Sequence, residues 1–381
     1  MSDRTKIDPL TSTRFIAAFL IVLAHSSGPG PFGFQFGLTT TFILGSAGVS
    51  FFFVLSGFIL TYTYGRLEGR VEMRNFWAAR FARIWPTHAL AFLLAVALLP
   101  ASHWAIGANP VLPALSNLTL THAGVPVPQY YFAFNAPSWS ISTEAYFYLF
   151  YPLAALALAR RPGLVVGGAA VAALVMIVLT VALKLPSYAV ETIAQPTSHG
   201  MISIHPATRF LEFACGMAAA RLWAERRGSI LLTRGAATLL EGAAILLVIM
   251  SVVGFQLIGD ALDARGYPDA VTLWLRFSAS AVPFAILIFV LALEAGAISR
   301  ALSWRPFVIL GEISFAMYML HQIFIRFFVN HGLHAPEGMA WPTFALFSVF
   351  IVGLSYGVWV VVERPARRAL NHLLRRRPVT A

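Results

Sequence analysis

Residues 11–28 read TSTRFIAAFLIVLAHSSG, and this stretch decides what kind of molecule the chain is. Between Arg14 and His25 every side chain is apolar. Preceded by Arg4, Lys6 and Arg14, the run has the outline of a secretory signal peptide. It leads into His25-Ser26-Ser27-Gly28 without a small-residue cleavage site, however, and further apolar stretches follow it along the chain, so it reads as a first membrane-crossing helix. A crossing needs about 20 mainly apolar residues. By that measure the remaining spans fall near 42–64, 87–104, 138–159, 164–184, 207–224, 235–258, 271–293, 307–329 and 341–362. Pro and Gly clusters such as Gly28-Pro29-Gly30-Pro31 and Pro110 to Pro113 punctuate the breaks. The expected fold is an all-α polytopic bundle of about ten transmembrane helices.

Composition agrees. The 381 residues are 58% hydrophobic and 11% charged, whereas soluble domains carry roughly a quarter charged residues. A net charge of +11 suggests a polyanionic partner. The basic residues sit in short clusters between apolar runs instead of forming one stripe, which excludes a nucleic-acid binder and leaves membrane lipids as the surroundings. With the N-terminus inside, every Lys and Arg except Lys184, Arg209, Arg265, Arg276 and Arg326 falls in a cytoplasmic piece, and the connection from Ala105 to Pro137 has no basic residue. The positive-inside rule then predicts both termini in the cytoplasm. The expected division is a membrane-embedded domain over 1–364 and a basic tail over 365–381 that includes Arg375, Arg376 and Arg377. Cys215 is the single cysteine, which rules out an internal disulfide and a thiolate metal site.

Ionisable groups inside spans are costly and mark function. At about 1.5 Å per residue, His25 stands roughly 16 Å from Arg14, so Arg14 belongs at the cytoplasmic face and His25 in the outer half. Glu144, Arg209, Glu212 and His321 share that outer layer. Arg209 and Glu212, at i and i+3, either neutralise one another or serve a site. Trp139 borders the Glu144 turn, as an anchor or as a platform. On the cytoplasmic side Arg80 and Arg83 share a face of a short helical stretch, Phe76 to Ile84, expected to end at Pro86. Paired guanidinium forks there are ordinary inside charge or suit phosphates. Ser56 and Gly57 in the second span permit close backbone approach.

These segments, taken in order, resemble the acyltransferase-3 family of bacterial integral membrane acyltransferases, which modify surface polysaccharides and some small molecules. The resemblance rests on RFIAAFLIVLAH (14–25), GVSFFFVLSGFIL (48–60), RFARIWP (80–86), WSISTEAYFYLFYP (139–152), RFLEFACG (209–216), LGEISFAMYMLH (310–321) and Glu363-Arg364-Pro365. Many members carry a further extracytoplasmic hydrolase-like domain; none is expected here, nor a relay through it. Members act on lipopolysaccharide, exopolysaccharide, peptidoglycan, signalling oligosaccharides and macrolides, so the acceptor stays open.

The resemblance implies a bacterial inner-membrane O-acyltransferase using acyl-CoA, with acetyl as the expected group. Arg14, Arg80 and Arg83, with Ser56 and Gly57 beside them, would hold the donor. His25 would take the acceptor proton, with Glu144 orienting its imidazole. Trp139, Arg209, Glu212, Tyr318 and His321 are the expected acceptor-binding or supporting residues, and no metal is expected. The competing class is a transporter or flippase, which uses the same intramembrane residue types.

Overall fold

The computed structural model describes residues 6–28, 30–34, 37–67, 69–107 and 109–374, and helix is the only regular structure among them. Arg4 and Arg375–Arg377 lie outside the described residues. The long helices are α1 Asp8–His25, α2 Leu38–Tyr64, α3 Arg70–Leu98, α4 Ser138–Arg160, α5 Pro162–Ala182, α6 Pro206–Arg226 and α7 Arg234–Asp263. There follow α8 Asp269–Ser278, α9 Ala281–Leu291, α10 Arg305–Asn330, α11 Ala340–Val358 and α12 Arg364–Leu374. Eight segments among the described residues are long and apolar enough to cross a membrane, with α8 and α9 acting as one of them. The remaining two long helices, α1 and α6, have 18 and 21 residues and carry several of the polar side chains singled out above. The chain is a multi-pass helical membrane protein.

Burial separates centre from rim. The most apolar windows of α2 and α10 are 67% buried, those of α5 and α7 only 22%, so α2 and α10 form the core and α5 and α7 face lipid. The core is dense because glycines let backbones touch. A Cβ on Gly57 would lie 2.0 Å from the Phe213 carbonyl oxygen, and one on Gly216 would lie 1.9 Å from that of Val54, which locks α2 against α6. In the same way Gly311 admits the Thr11 carbonyl and seats α10 on α1. Where lipid supplies no hydrophobic drive, this close contact supplies dispersion energy between helices.

Three local expectations change. Pro86 sits inside α3, which runs on to Leu98. A membrane helix tolerates such an interruption because neighbouring groups re-satisfy the freed carbonyl. The span near 271–293 is broken at Ala279-Ser280, and Pro283 falls in the first turn of the helix that follows, where its ring is best tolerated. The part of the tail that is described does not hang free, because α12 lies along α3.

The connection between α3 and α4 is folded. It carries short helices at Ala101–Trp104, Val111–Leu118 and Pro128–Tyr131, and its buried Asn135 amide donates to the Met319 carbonyl on α10 at 2.8 Å. It therefore forms a cap over one end of the bundle, the end at which α1 finishes in His25.

Candidate active site

At the opposite end α1, α2, α3, α4 and α10 surround a narrow cavity of about 90 Å³. Arg14, Ser56, Arg80, Arg83, Glu144, Tyr148 and Tyr318 line it, so residues far apart in sequence converge here. Arg83 is paired with the buried carboxylate of Glu363, in the π-helical turn between α11 and α12. Arg80 donates to the Tyr64 hydroxyl at 3.0 Å and lies over the Tyr64 and Tyr148 rings, 5.3 and 5.9 Å from their centroids. Glu144 accepts from the Ser56 hydroxyl at 2.6 Å. Arg14 has no hydrogen-bond partner among the described residues, although the charges of Arg83, Glu144 and Arg80 act on it. Three guanidiniums thus stand around this space with the Glu144 carboxylate, and a second carboxylate, Glu363, holds Arg83. An unpaired cation there is costly until an anion arrives, and guanidinium forks match the oxygens of phosphate.

The other end is built around histidine. His25 Nδ1 lies 2.8 Å from His321 Nε2, with the rings 5.1 Å apart and 11° from parallel. His321 Nδ1 lies 2.7 Å from the Tyr318 carbonyl oxygen and 3.3 Å from that of Met317. A carbonyl only accepts, so His321 carries its proton on Nδ1 and offers Nε2 as an acceptor. His25 must then donate from Nδ1, which leaves its Nε2 as a bare lone pair. This tautomer assignment follows from the network. His321 is fully buried, whereas His25 is exposed: the supporting ring is packed and the ring with the free lone pair is accessible.

Tyr318 stands between the two ends. Its ring lines the cavity and lies 5.8 Å from that of His321. Its hydroxyl donates to the Pro137 carbonyl at 3.0 Å and meets the Ser140 hydroxyl at 2.7 Å. His25 is not among the cavity-lining residues. Arg14 and His25 share a helix, but only Arg14 lines this cavity, whose wall includes Tyr318, Ser140 and Phe52.

Several assignments shift accordingly. Among the described residues, His25 donates its hydrogen bond to His321, while Glu144 accepts from Ser56. Gly57 is a packing residue against α6, because its Cβ position is filled by the Phe213 backbone. Arg209 and Glu212 are both wholly buried and paired at 2.8 Å. Arg209 also donates to the Ser203 carbonyl and the Ser50 hydroxyl at 3.1 and 2.9 Å, and it lies over the Phe53 and Phe277 rings. Neither residue lines the cavity, and the bond to Ser50 ties α6 to α2. Trp139 is half-buried and packs edge-on against Phe53 in the core. Ser140 escaped the sequence reading, and Tyr148 reads there as an anchor or packing residue. Both stand four residues from Glu144, which places them on its helical face.

A family model described as an acyltransferase domain matches residues 10–360. The chain is 32% identical over 401 residues to the acyltransferase MdmB of Streptomyces mycarofaciens, covering 98% of this chain and 94% of that protein. It is 28% identical over 343 residues to the exopolysaccharide production protein ExoZ of Rhizobium meliloti (strain 1021), covering 86% of this chain and 91% of that one. No solved structure matches the chain.

Proposed function

Because the chain belongs to the acyltransferase family whose model spans residues 10–360, we propose that it moves an acyl group, acetyl in the simplest case, from acyl-CoA to a hydroxyl of a carbohydrate or related acceptor. Acyl transfer itself is the family's activity; donor, acceptor and residue roles are the content of the proposal. The proposed setting is the bacterial inner membrane, with both termini and the arginine end on the cytoplasmic side, where acyl-CoA is made.

One observation carries the reading: the hydrogen-bond chain from the Tyr318 carbonyl through His321 to His25, which leaves an accessible Nε2 lone pair. His25 Nε2 removes the acceptor hydroxyl proton as that oxygen attacks the thioester carbonyl. The carbon–sulfur bond then breaks, the CoA thiolate leaves, and His25 returns the proton to it. His321 Nε2 accepts from His25 Nδ1–H throughout. It holds the ring in the reactive tautomer and spreads the imidazolium charge, the office a carboxylate fills in serine hydrolase triads.

Arg14, Arg80 and Arg83 bind the donor phosphates at the arginine end. The pantetheine arm extends along the cavity, and its acyl group meets His25 once the Tyr318 hydroxyl leaves Ser140 and Pro137. Glu144 and Ser56 keep the cavity charge near balance and the Arg14 fork aimed at the ligand. The relatives support the acceptor class, one bearing the name of an acyltransferase and the other of an exopolysaccharide production protein.

The test is transfer of labelled acetyl from acetyl-CoA by the purified chain in lipid nanodiscs, with cell-envelope glycans as acceptor. Time-dependent ester formation that is abolished in His25→Ala supports the proposal. Ester formed at the wild-type rate by that variant, or no ester from the wild type, refutes it.

A further inference from the structure

Arg209 and Glu212 are buried as an ion pair, and the histidine end offers another surface for an acceptor. Phe132 before α4, Tyr188 after α5 and His199 before α6 come from three separate connections and converge. Ring centroids stand 5.4 Å apart for Phe132 and Tyr188, 5.9 Å for Phe132 and His199, and 6.1 Å for Tyr188 and His199. A cluster formed only to bury apolar area would hide its largest members, yet Tyr188 is 48% exposed and the other two rings are only half-buried. These connections lie outside the candidate membrane spans.

Arg326 links this shelf to the reacting histidine. It follows His321 on α10 by five residues, a turn and a half further toward the same end. One nitrogen donates to the His103 carbonyl at 3.2 Å, and its other N–H groups have no partner among the described residues. Its charge acts on both His25 and Tyr188, so it lies within electrostatic range of each. Aromatic faces flanked by hydroxyl, imidazole and guanidinium donors match a sugar ring. The ring's C–H face is apolar and stacks on aromatics, while its hydroxyls lie at the rim where directional donors reach them.

We propose that Phe132, Tyr188, His199 and Arg326 form a subsite for a pyranose ring of the acceptor, holding one of its hydroxyls toward His25 Nε2. The inference rests on the acyl-transfer reading, but sugar binding needs no donor, so the two fail separately.

The experiment is saturation-transfer NMR on the full chain in nanodiscs, with maltose as the pyranose probe and sorbitol as a polyol without a ring face. Strong saturation of the maltose ring C–H protons, and little of sorbitol, is expected for wild type and for Tyr188→Phe, which keeps the stacking face. Tyr188→Ala removes an exposed side chain without disturbing the fold and should weaken maltose binding at least tenfold. Arg326→Gln should weaken it about tenfold, the worth of a hydrogen bond to a charged donor. Equal saturation of both probes, no maltose binding by wild type, or undiminished binding by Tyr188→Ala overturns the subsite. Loss of acetyl transfer with maltose binding intact counts instead against the donor and base assignments.

Discussion

Two histidine pairs in this molecule look alike and do different work. His25 and His321 stack with rings 11° from parallel, and His88 and His122 do so at 12°. The first pair is joined directly at 2.8 Å, and one member is exposed. In the second, both rings are wholly buried. His88 Nε2 bonds to the Asn117 carbonyl at 2.9 Å, and His122 bonds to the Ser116 carbonyl and the Ser138 hydroxyl, each at 3.3 Å. A lone pair directed at accessible space is available for chemistry; one directed at packed neighbours holds a cap in place. The lesson extends to the arginines. Arg209 is wholly buried and ion-paired with Glu212, whereas Arg14 lines a cavity without a hydrogen-bond partner among the described residues.

The comparison is broken most decisively at the first pair. His25→Ala should lower turnover about a thousandfold, within the range of general-base catalysis, with undiminished protein in the membrane; transfer assays beside quantitative blots check both. His321→Ala should cost about a hundredfold in kcat with little change in KM for acetyl-CoA. His321→Gln, whose amide oxygen can accept in place of Nε2, should recover about tenfold of that.

At the arginines the effect moves from rate to binding. Arg14→Gln should raise KM for acetyl-CoA about tenfold and spare kcat at saturation, as expected when a charge-assisted contact to phosphate is lost. Glu212→Ala should instead reduce the amount of folded protein, because a buried arginine left without its partner costs about 3–5 kcal/mol.

The second histidine pair sharpens the contrast through pH. Burial, reinforced by the neighbouring His88, pushes the His122 imidazole down to about 3. The unfolded chain therefore binds a proton that the folded cap refuses between pH 6.5 and about 3, and stability is lost as pH falls through that window. Moving from pH 7 to pH 5 should cost about 2 kcal/mol from this residue. Thermal midpoints should fall accordingly, and less in His122→Gln. Activity at pH 7 should be nearly unchanged in that variant.

Much of this was legible in the sequence, and the physics explains where legibility stopped. Hydropathy located the long helices because lipid demands apolar surface wherever it touches them. The helical rise placed Arg14 and His25 at different depths, and the i, i+3 spacing of Arg209 and Glu212 already offered self-neutralisation as a reading. Depth along a helix is one coordinate, however, and the direction a side chain faces is another. Glu144 and His321 both fell in the layer of His25, and only packing against α1 selects His321 as its partner. Gly57 looked like room for a ligand and is room for the α6 backbone. Tyr318 was visible as a site residue but not as part of the cavity wall, since that place depends on Ser140 and Pro137 from another helix.

The base assignment stands or falls on which nitrogen of His25 is bare. Nitrogen-15 NMR of histidine-labelled protein in nanodiscs at neutral pH, with the His25 signal identified by its loss in His25→Gln, reads this directly. The account requires a protonated Nδ1 coupled through a hydrogen bond to His321 and an unprotonated Nε2. A His25 found with its proton on Nε2, or with no coupling to His321, would contradict it.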